Sequence, residues 1–370
     1  MKKISITISC LLLIIVAYPS HAGNYHWYKG NTHCHTIMSD GKNTPAEVIA
    51  AYHAQGYNFL AITDHNLLLN TDTVKKPAAM RKDFLLIPGE EASDRVAVHT
   101  TAFGISKYVP ISTDQRIANN AASDTNEGNS GVKGKHVLTV TEMIQLHVDG
   151  TLLAGGIPFI NHPNFSKGVK ISDILPVKNL HHMEVYNGHP LVANWGKEGH
   201  IAVEAKWDSL LTHGMVMYGI ASDDMHKLVT NDENEAGMFR GWIMVRSPEL
   251  SIAALHKAIA SGNFYATNSV ILKRCDMSLK KCLIEINTGA TEKEVAQSQG
   301  IPRIDKDGKE GFSIEFIGFG GKILSFVEGA RAVYQPKKGD GYVRARITRC
   351  VKTKRGYEKL FAWVQPVFMY

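Results

Sequence analysis

Short clusters of histidine and carboxylate close one apolar run after another, which restricts the chain to folds that gather strand ends at one place. Six histidines (His33, His35, His65, His99, His162, His226) and three carboxylates (Asp40, Asp224 and one of Glu90 and Glu91) make up the set. Imidazole and carboxylate together suit zinc, manganese or iron, with no thiolate needed. A bound divalent ion acidifies its water, so hydroxide is available near neutral pH. One polynuclear site of two or three ions is the expectation, and a metal-dependent hydrolase the function class.

The spacing supports this reading. His33-x-His35 puts two imidazoles on one side of a strand, where both can grip one ion, and turns Cys34 away as a small buried side chain. Asp224-x-His226 repeats the alternation, and Asp40 is close enough in sequence to turn back onto a second ion. Glu90 and Glu91 are neighbours, so on extended backbone only one can face inward. Asp64, beside His65, reads as a residue that orients an imidazole rather than a ligand.

From Tyr25 to about Asn268, apolar strands alternate with amphipathic helices. Strands are expected near 27–35, 57–62, 84–87, 96–105, 157–160, 183–186 and 215–221. Helices should begin at Thr44-Pro45, with proline at the first helical position, and near Thr141. Strand, polar tip and helix in repetition argue for an α/β barrel, whose chemistry collects at the carboxyl ends of its strands. His99, inside its apolar run, fits that rule least well. Residues 111–134 lack periodicity and read as a lid or a surface insertion. After about Ser269 the helical signal stops, and five strand-like runs suggest a small all-β domain at 269–370 that contains no histidine.

Residues 1–22 read as a signal peptide: Lys2 and Lys3, an apolar run from Cys10 to Ala17, and a small residue at Ala22. Cys10 precedes most of that run, which speaks against a lipoprotein. Cleavage takes the basic count from 41 to 39 against 35 acidic residues, so the formal charge falls from +6 to +4. That mild bias suits an anionic small molecule and does not announce a nucleic-acid binder. No later segment is long and apolar enough for a membrane span. Nothing in the sequence reads on oligomeric state. With 44% hydrophobic residues the mature chain can bury a large core. Cys275 and Cys282 flank a short polar turn, and an exported protein could bridge them.

His33-Cys34-His35 with Ser39-Asp40-Gly41, Thr63-Asp64-His65, Pro88-Gly89-Glu90-Glu91, Asn161-His162-Pro163 and Asp224-Met225-His226 together resemble the PHP family, named for polymerase and histidinol phosphatase domains. The likeness spans about residues 27–268. It implies a distorted seven-stranded (β/α) barrel with helices outside, up to three metals, and hydrolysis of phosphoesters. It further implies one ion held by His33, His35 and Asp224, a second by His99 and His162, and a third by Asp40, His65 and His226. The family's proline-glycine-x-glutamate pattern places the bridging carboxylate at Glu91. Phe239-Arg240-Gly241-Trp242, Gly262-Asn263-Phe264-Tyr265-Ala266-Thr267 and Ala362-Trp363-Val364-Gln365-Pro366 look like an exported branch of the family, similar also to carbamate- and ester-cleaving hydrolases.

Arg240 is the candidate anion clamp, because a guanidinium fork suits phosphate. Glu184 and Asn187 line the pocket or serve packing; the remaining histidines, His189 among them, lack a partner motif. The expected reaction is attack by a metal-bound hydroxide on phosphorus. Two alternatives stand beside it: the same metals cleaving a carbamate or carboxylic ester, and a metal-binding module without turnover. An anion-binding pocket favours phosphate, and an apolar one favours the ester.

Overall fold

The computed structural model describes residues 25–369, apart from 75–79, 81, 95–97, 114–137, 231 and 298. The expected signal peptide, and most of the expected lid at 111–134, lie outside the described residues.

Nine strands carry the first two-thirds of the chain: β1 (His26–Asn31), β2 (Phe59–Ile62), β3 (Leu85–Asp94), β4 (Val98–Phe103), β5 (Ile157–Ile160), β6 (His182–Asn187), β7 (Tyr218–Ser222), β8 (Trp242–Ser247) and β9 (Phe264–Thr267). Several are apolar runs buried on both faces, Phe59–Ile62 and Ile157–Ile160 among them, as a sheet covered by helices requires. The sheet is mixed. β1, β2 and β3 are parallel, as are β5, β6 and β7, while β4 runs antiparallel to both β3 and β5. β8 and β9 extend the sheet antiparallel from β1. The sheet curls until β7 packs on β8 and β9.

Local chemistry sets the helix starts. The helix Pro45–Ala54 opens with a capping box of Thr44 and Glu47, and Val140–Leu153 with one of Thr139 and Glu142. Each box satisfies two orphan backbone donors at a helix start. Val48, Ile49 and Tyr52, and Met143, Ile144 and Val148, turn the apolar faces of these helices into the core.

The C-terminal part corrects one expectation, that helix stops near Ser269. It contains a helix, Thr288–Gln297, capped where Asn287 Oδ1 accepts the Ala290 N–H. Only Thr291 of that helix is buried, so it has no apolar stripe to read. The strands of this part divide between two sheets. β10 (Leu272–Asp276), β11 (Cys282–Ile286) and β15 (Arg331–Tyr334) form a small sheet of their own. β12 (Arg303–Asp305), β13 (Gly311–Gly318), β14 (Lys322–Glu328), β16 (Tyr342–Thr353) and β17 (Gly356–Phe368) instead continue the main sheet, because β17 pairs with β9. The Gln365 side chain adds a clasp: its amide accepts from the Gly219 N–H at 2.7 Å and donates to the Gly219 carbonyl at 2.8 Å, satisfying β7 as a neighbouring strand would.

Cys34, Cys275, Cys282 and Cys350 are free thiols. The β10–β11 register sets Cys275 opposite Ile284, two positions along the strand from Cys282, so the two sulfurs are not brought face to face. No helix among the described residues is long and apolar enough to cross a membrane.

Candidate metal centre

All nine expected ligands converge at one rim of the curled sheet. The rim collects the carboxyl ends of the parallel strands, and β4's reversed direction explains His99. As the second residue of an antiparallel strand, opposite Ser93, it starts at the rim where its neighbours end.

Glu91 is the hub. Its Oε1 lies 3.2 Å from imidazole nitrogens of His33, His99 and His162, and its Oε2 lies 3.0 Å from His65 and 3.4 Å from His35. Glu90, one step along β3, faces the other way and accepts the Val109 backbone N–H. Asp224 Oδ1 is 3.3 Å from His33 and 3.2 Å from His35. Asp40, half exposed, reaches His35 at 3.4 Å, His65 at 3.5 Å and His226 at 3.3 Å.

Four overlapping groups of donors could each hold an ion: His35 with Asp40, His65 and His226; His33 with His35 and Asp224; His33 with Glu91 and His162; and His65 with Glu91 and His99. The second matches one expected ion site, and the first is another with His35 added. His99 and His162 fall into separate groups that share Glu91.

A surrounding layer fixes which imidazole nitrogen faces inward. His33 Nδ1 sits 2.9 Å from a Glu184 carboxylate oxygen, and His226 Nδ1 2.9 Å from the Asp224 carbonyl. Each contact occupies Nδ1 and leaves Nε2 as the nitrogen that faces the cluster. Glu184 also accepts the His162 backbone N–H at 2.6 Å and is held by Ser222 and Asn187. Asn161 donates to Glu91 Oε1 at 2.8 Å. His162 and Asp224 both have left-handed backbone, at φ 23° and 49°. Non-glycine residues rarely hold that conformation unless their surroundings impose it.

Asp223, beside Asp224, is a second anchor, accepting from Tyr52 Oη, Asn31 Nδ2 and the backbone N–H groups of Phe239, Arg240 and Gly241. Asp64 accepts from the Thr36 backbone and hydroxyl and from the Ser39 hydroxyl, each at 2.7 Å. It therefore orders the turn that carries Asp40 rather than an imidazole directly. Arg240 is buried and donates to the Gly188 carbonyl at 3.1 Å. That bond, to the residue after Asn187, uses one guanidinium nitrogen and leaves Nε without a partner, so it neither makes nor excludes the expected anion clamp. His189 is at the cluster's edge, its ring edge-on to His226 at 5.4 Å. Burial holds its pKa down at about 4.

The electrostatics suit cations. Burial alone would raise the Glu91 and Asp224 carboxyls, but the surrounding imidazoles reverse this and hold both well below the usual carboxylate range. Burial likewise works against charge on His33, and the carboxylates of Asp224, Glu91 and Glu184 override it. The Nε2 atoms of His33 and His35 stand 3.2 Å apart. Lone pairs converging in this way fit divalent ions and the all-N/O donor set they prefer.

No family model matches the chain. Over 88 residues it is 33% identical to a 5'-3' exoribonuclease of Haemophilus influenzae, a match covering 23% of this chain and 32% of that protein. The chain thus spans about a third of the length of this curated relative. Among solved structures, it is similar to a two-domain protein from Bacteroides vulgatus described as containing a PHP-like metal-dependent phosphoesterase, at 13% identity and TM-score 0.44, with 93% of this chain and 88% of that one covered. It is also similar to a metal-dependent phosphoesterase from Bifidobacterium adolescentis (16% identity, TM-score 0.36, 56% and 88% covered) and to an amidohydrolase from Chromobacterium violaceum (18%, 0.33, 54% and 87%). These likenesses are distant, and the site geometry stands independently of them.

Proposed function

We propose that the cluster holds two or three divalent ions, zinc, manganese or iron, and that the protein is an exported metal-dependent hydrolase of the PHP type acting on anionic phosphoesters. The observation that carries the reading is Glu91, one buried carboxylate with its two oxygens shared among five imidazoles. A single ion would leave most of those donors unused.

The residues that would hold the ions are His33, His35, Asp40, His65, Glu91, His99, His162, Asp224 and His226. When bound, the ions would supply a nucleophile from water near neutral pH and offset charge developing on the attacked group. The chain's own part is preorganisation. Glu184 and the Asp224 carbonyl aim His33 and His226, Asp64 orders the turn that carries Asp40, and Asp223 anchors the Asp224 segment. Held this way, the donors need no rearrangement as charge moves during reaction. The short likeness to an exoribonuclease, a name that denotes action on RNA and hence on a phosphate-linked chain, supports phosphorus as the attacked centre. The rival reading is ester or carbamate cleavage on the same ions; Arg240 gives it partial support, since one guanidinium N–H already bonds the Gly188 carbonyl.

The test is to strip the protein with chelator, reload it with Zn2+, Mn2+ or Fe2+, count ions by elemental analysis, and assay phosphomonoesters, phosphodiesters and neutral aryl esters. Two or three ions and phosphoester turnover are expected. Fewer than one ion per chain would overturn the polynuclear site. Turnover confined to aryl esters would replace phosphorus with carbon as the attacked atom.

A further inference from the structure

A cleft lies against the C-terminal strands. β12, β13, β14, β16 and β17 alternate their side chains, and one set (Ile314, Phe316, Ala345, Ile347, Ala362, Val364) packs into the C-terminal core. The opposite set lines a cleft of about 390 Å3, within the size range of small-molecule sites.

The cleft contains four cations, and each already has a carboxylate. Arg346 bonds Glu315 at 2.6 Å and Glu204 at 3.0 Å. Lys359 and Arg303 share Asp305, at 2.5 and 3.1 Å, and Lys309 holds Glu328 at 2.5 Å. An incoming anion would compete with these carboxylates for the same cations. An apolar ligand would leave the charged walls unsolvated. A hydroxyl both donates and accepts, so a polyol can bond the carboxylate and the cation of one pair without breaking it. Phe361 is buried in the lining, while Phe326 on edge strand β14 is 55% exposed and leaves an aromatic ring open to the cleft. A sugar ring, with hydroxyls around its edge and apolar C–H faces, matches both features.

We propose that this cleft binds a neutral oligosaccharide, as a site separate from the metal centre. The proposal does not depend on which bond the metal centre cleaves. The paired charges read the hydroxyls, and Phe326 packs against a sugar face.

The full chain would be titrated calorimetrically with maltohexaose, cellohexaose and chitohexaose, and with inorganic phosphate as the charged probe. At least one oligosaccharide should bind, with Kd in roughly the micromolar to millimolar range typical of a small exposed contact. Phe326→Ala, at an exposed position that the fold does not need, should weaken binding about tenfold or more. Glu328→Gln, also exposed, should weaken it by a smaller factor. Neither change should alter metal content or turnover of a small ester. Absence of binding to all three sugars would overturn the proposal. So would sugar binding that survives both substitutions, or phosphate competing for the cleft.

Discussion

Two regions of this molecule bury several charged side chains together, and they do so in opposite ways. Between the helix Val203–Thr212 and the C-terminal strands, Arg344 is forked onto Asp208 by two bonds of 2.7 Å and reaches Glu204 at 2.8 Å, while Arg346 spans Glu204 and Glu315. Every charge there faces an opposite charge within the chain. Burial would raise the Glu204 carboxyl, but Arg344 and Arg346 hold it down, and the Arg344 guanidinium is raised in turn. At the rim, three carboxylates meet six imidazoles and no ammonium or guanidinium from the cluster itself, and two imidazole nitrogens face each other. The first network closes on itself and needs no ion from outside. The second would be completed by cations from outside, as the proposed metal centre requires.

The sharpest way to break the contrast is at the hub. Glu91→Gln should lose metal and lower turnover by several orders of magnitude, whereas Glu90→Gln, one residue away and facing the other way, should keep its ions. The motivation is strand alternation together with the contacts each glutamate makes. Metal counts and kcat for the two variants decide it, and the reverse ranking would place the bridge on Glu90. In the self-closed network the prediction concerns stability alone. Asp208→Asn should cost roughly 3 kcal/mol, since it leaves the fully buried Arg344 short of its forked partner. Chemical denaturation should show the loss while metal content stays normal; lost metal would mean that the two regions are coupled.

The smallest effect sharpens the comparison with a third buried group. Burial holds the His182 pKa down at about 3, against an ordinary imidazole near 6.5, with Nε2 against the Ile259 carbonyl. Between those values the unfolded chain binds a proton that the folded chain refuses, so stability falls as pH drops from 6.5 toward 3. Metal-stripped protein should lose on the order of 1–2 kcal/mol at pH 5 from this group. His182→Phe should flatten that part of the pH profile in urea unfolding. An unchanged profile would assign the acid sensitivity to other groups.

Much of the site was legible because its ligands come in short sequence clusters, and alternation along a strand is a local rule. His33 with His35, and Asp224 with His226, announce themselves. What holds them does not. Glu184 meets His33 across 151 positions, and Asp223 meets Asn31 across 192, pairings that exist only after the sheet has curled. His99 looked misplaced because strand direction is a pairing property, and β4 turns out to run backwards. Arg240 has the right chemistry for an anion, yet sequence says nothing of where a guanidinium points. The two capping boxes were partly readable, from Thr44-Pro45 and the start near Thr141. The helix Thr288–Gln297 was not, since a surface helix without an apolar stripe leaves no period to detect.

The Gln365 clasp on Gly219 has a bearing on how the chain is made. The two residues are 146 positions apart, so when β7 leaves the ribosome its partner amide has not yet been synthesised. Every ligand of the metal centre has by then been translated or soon will be, while the strand that finishes the sheet is still missing. Biosynthesis thus presents the histidines before the scaffold that positions them is complete, and a nascent chain stalled before β17 would offer metal-binding side chains on an unfinished sheet.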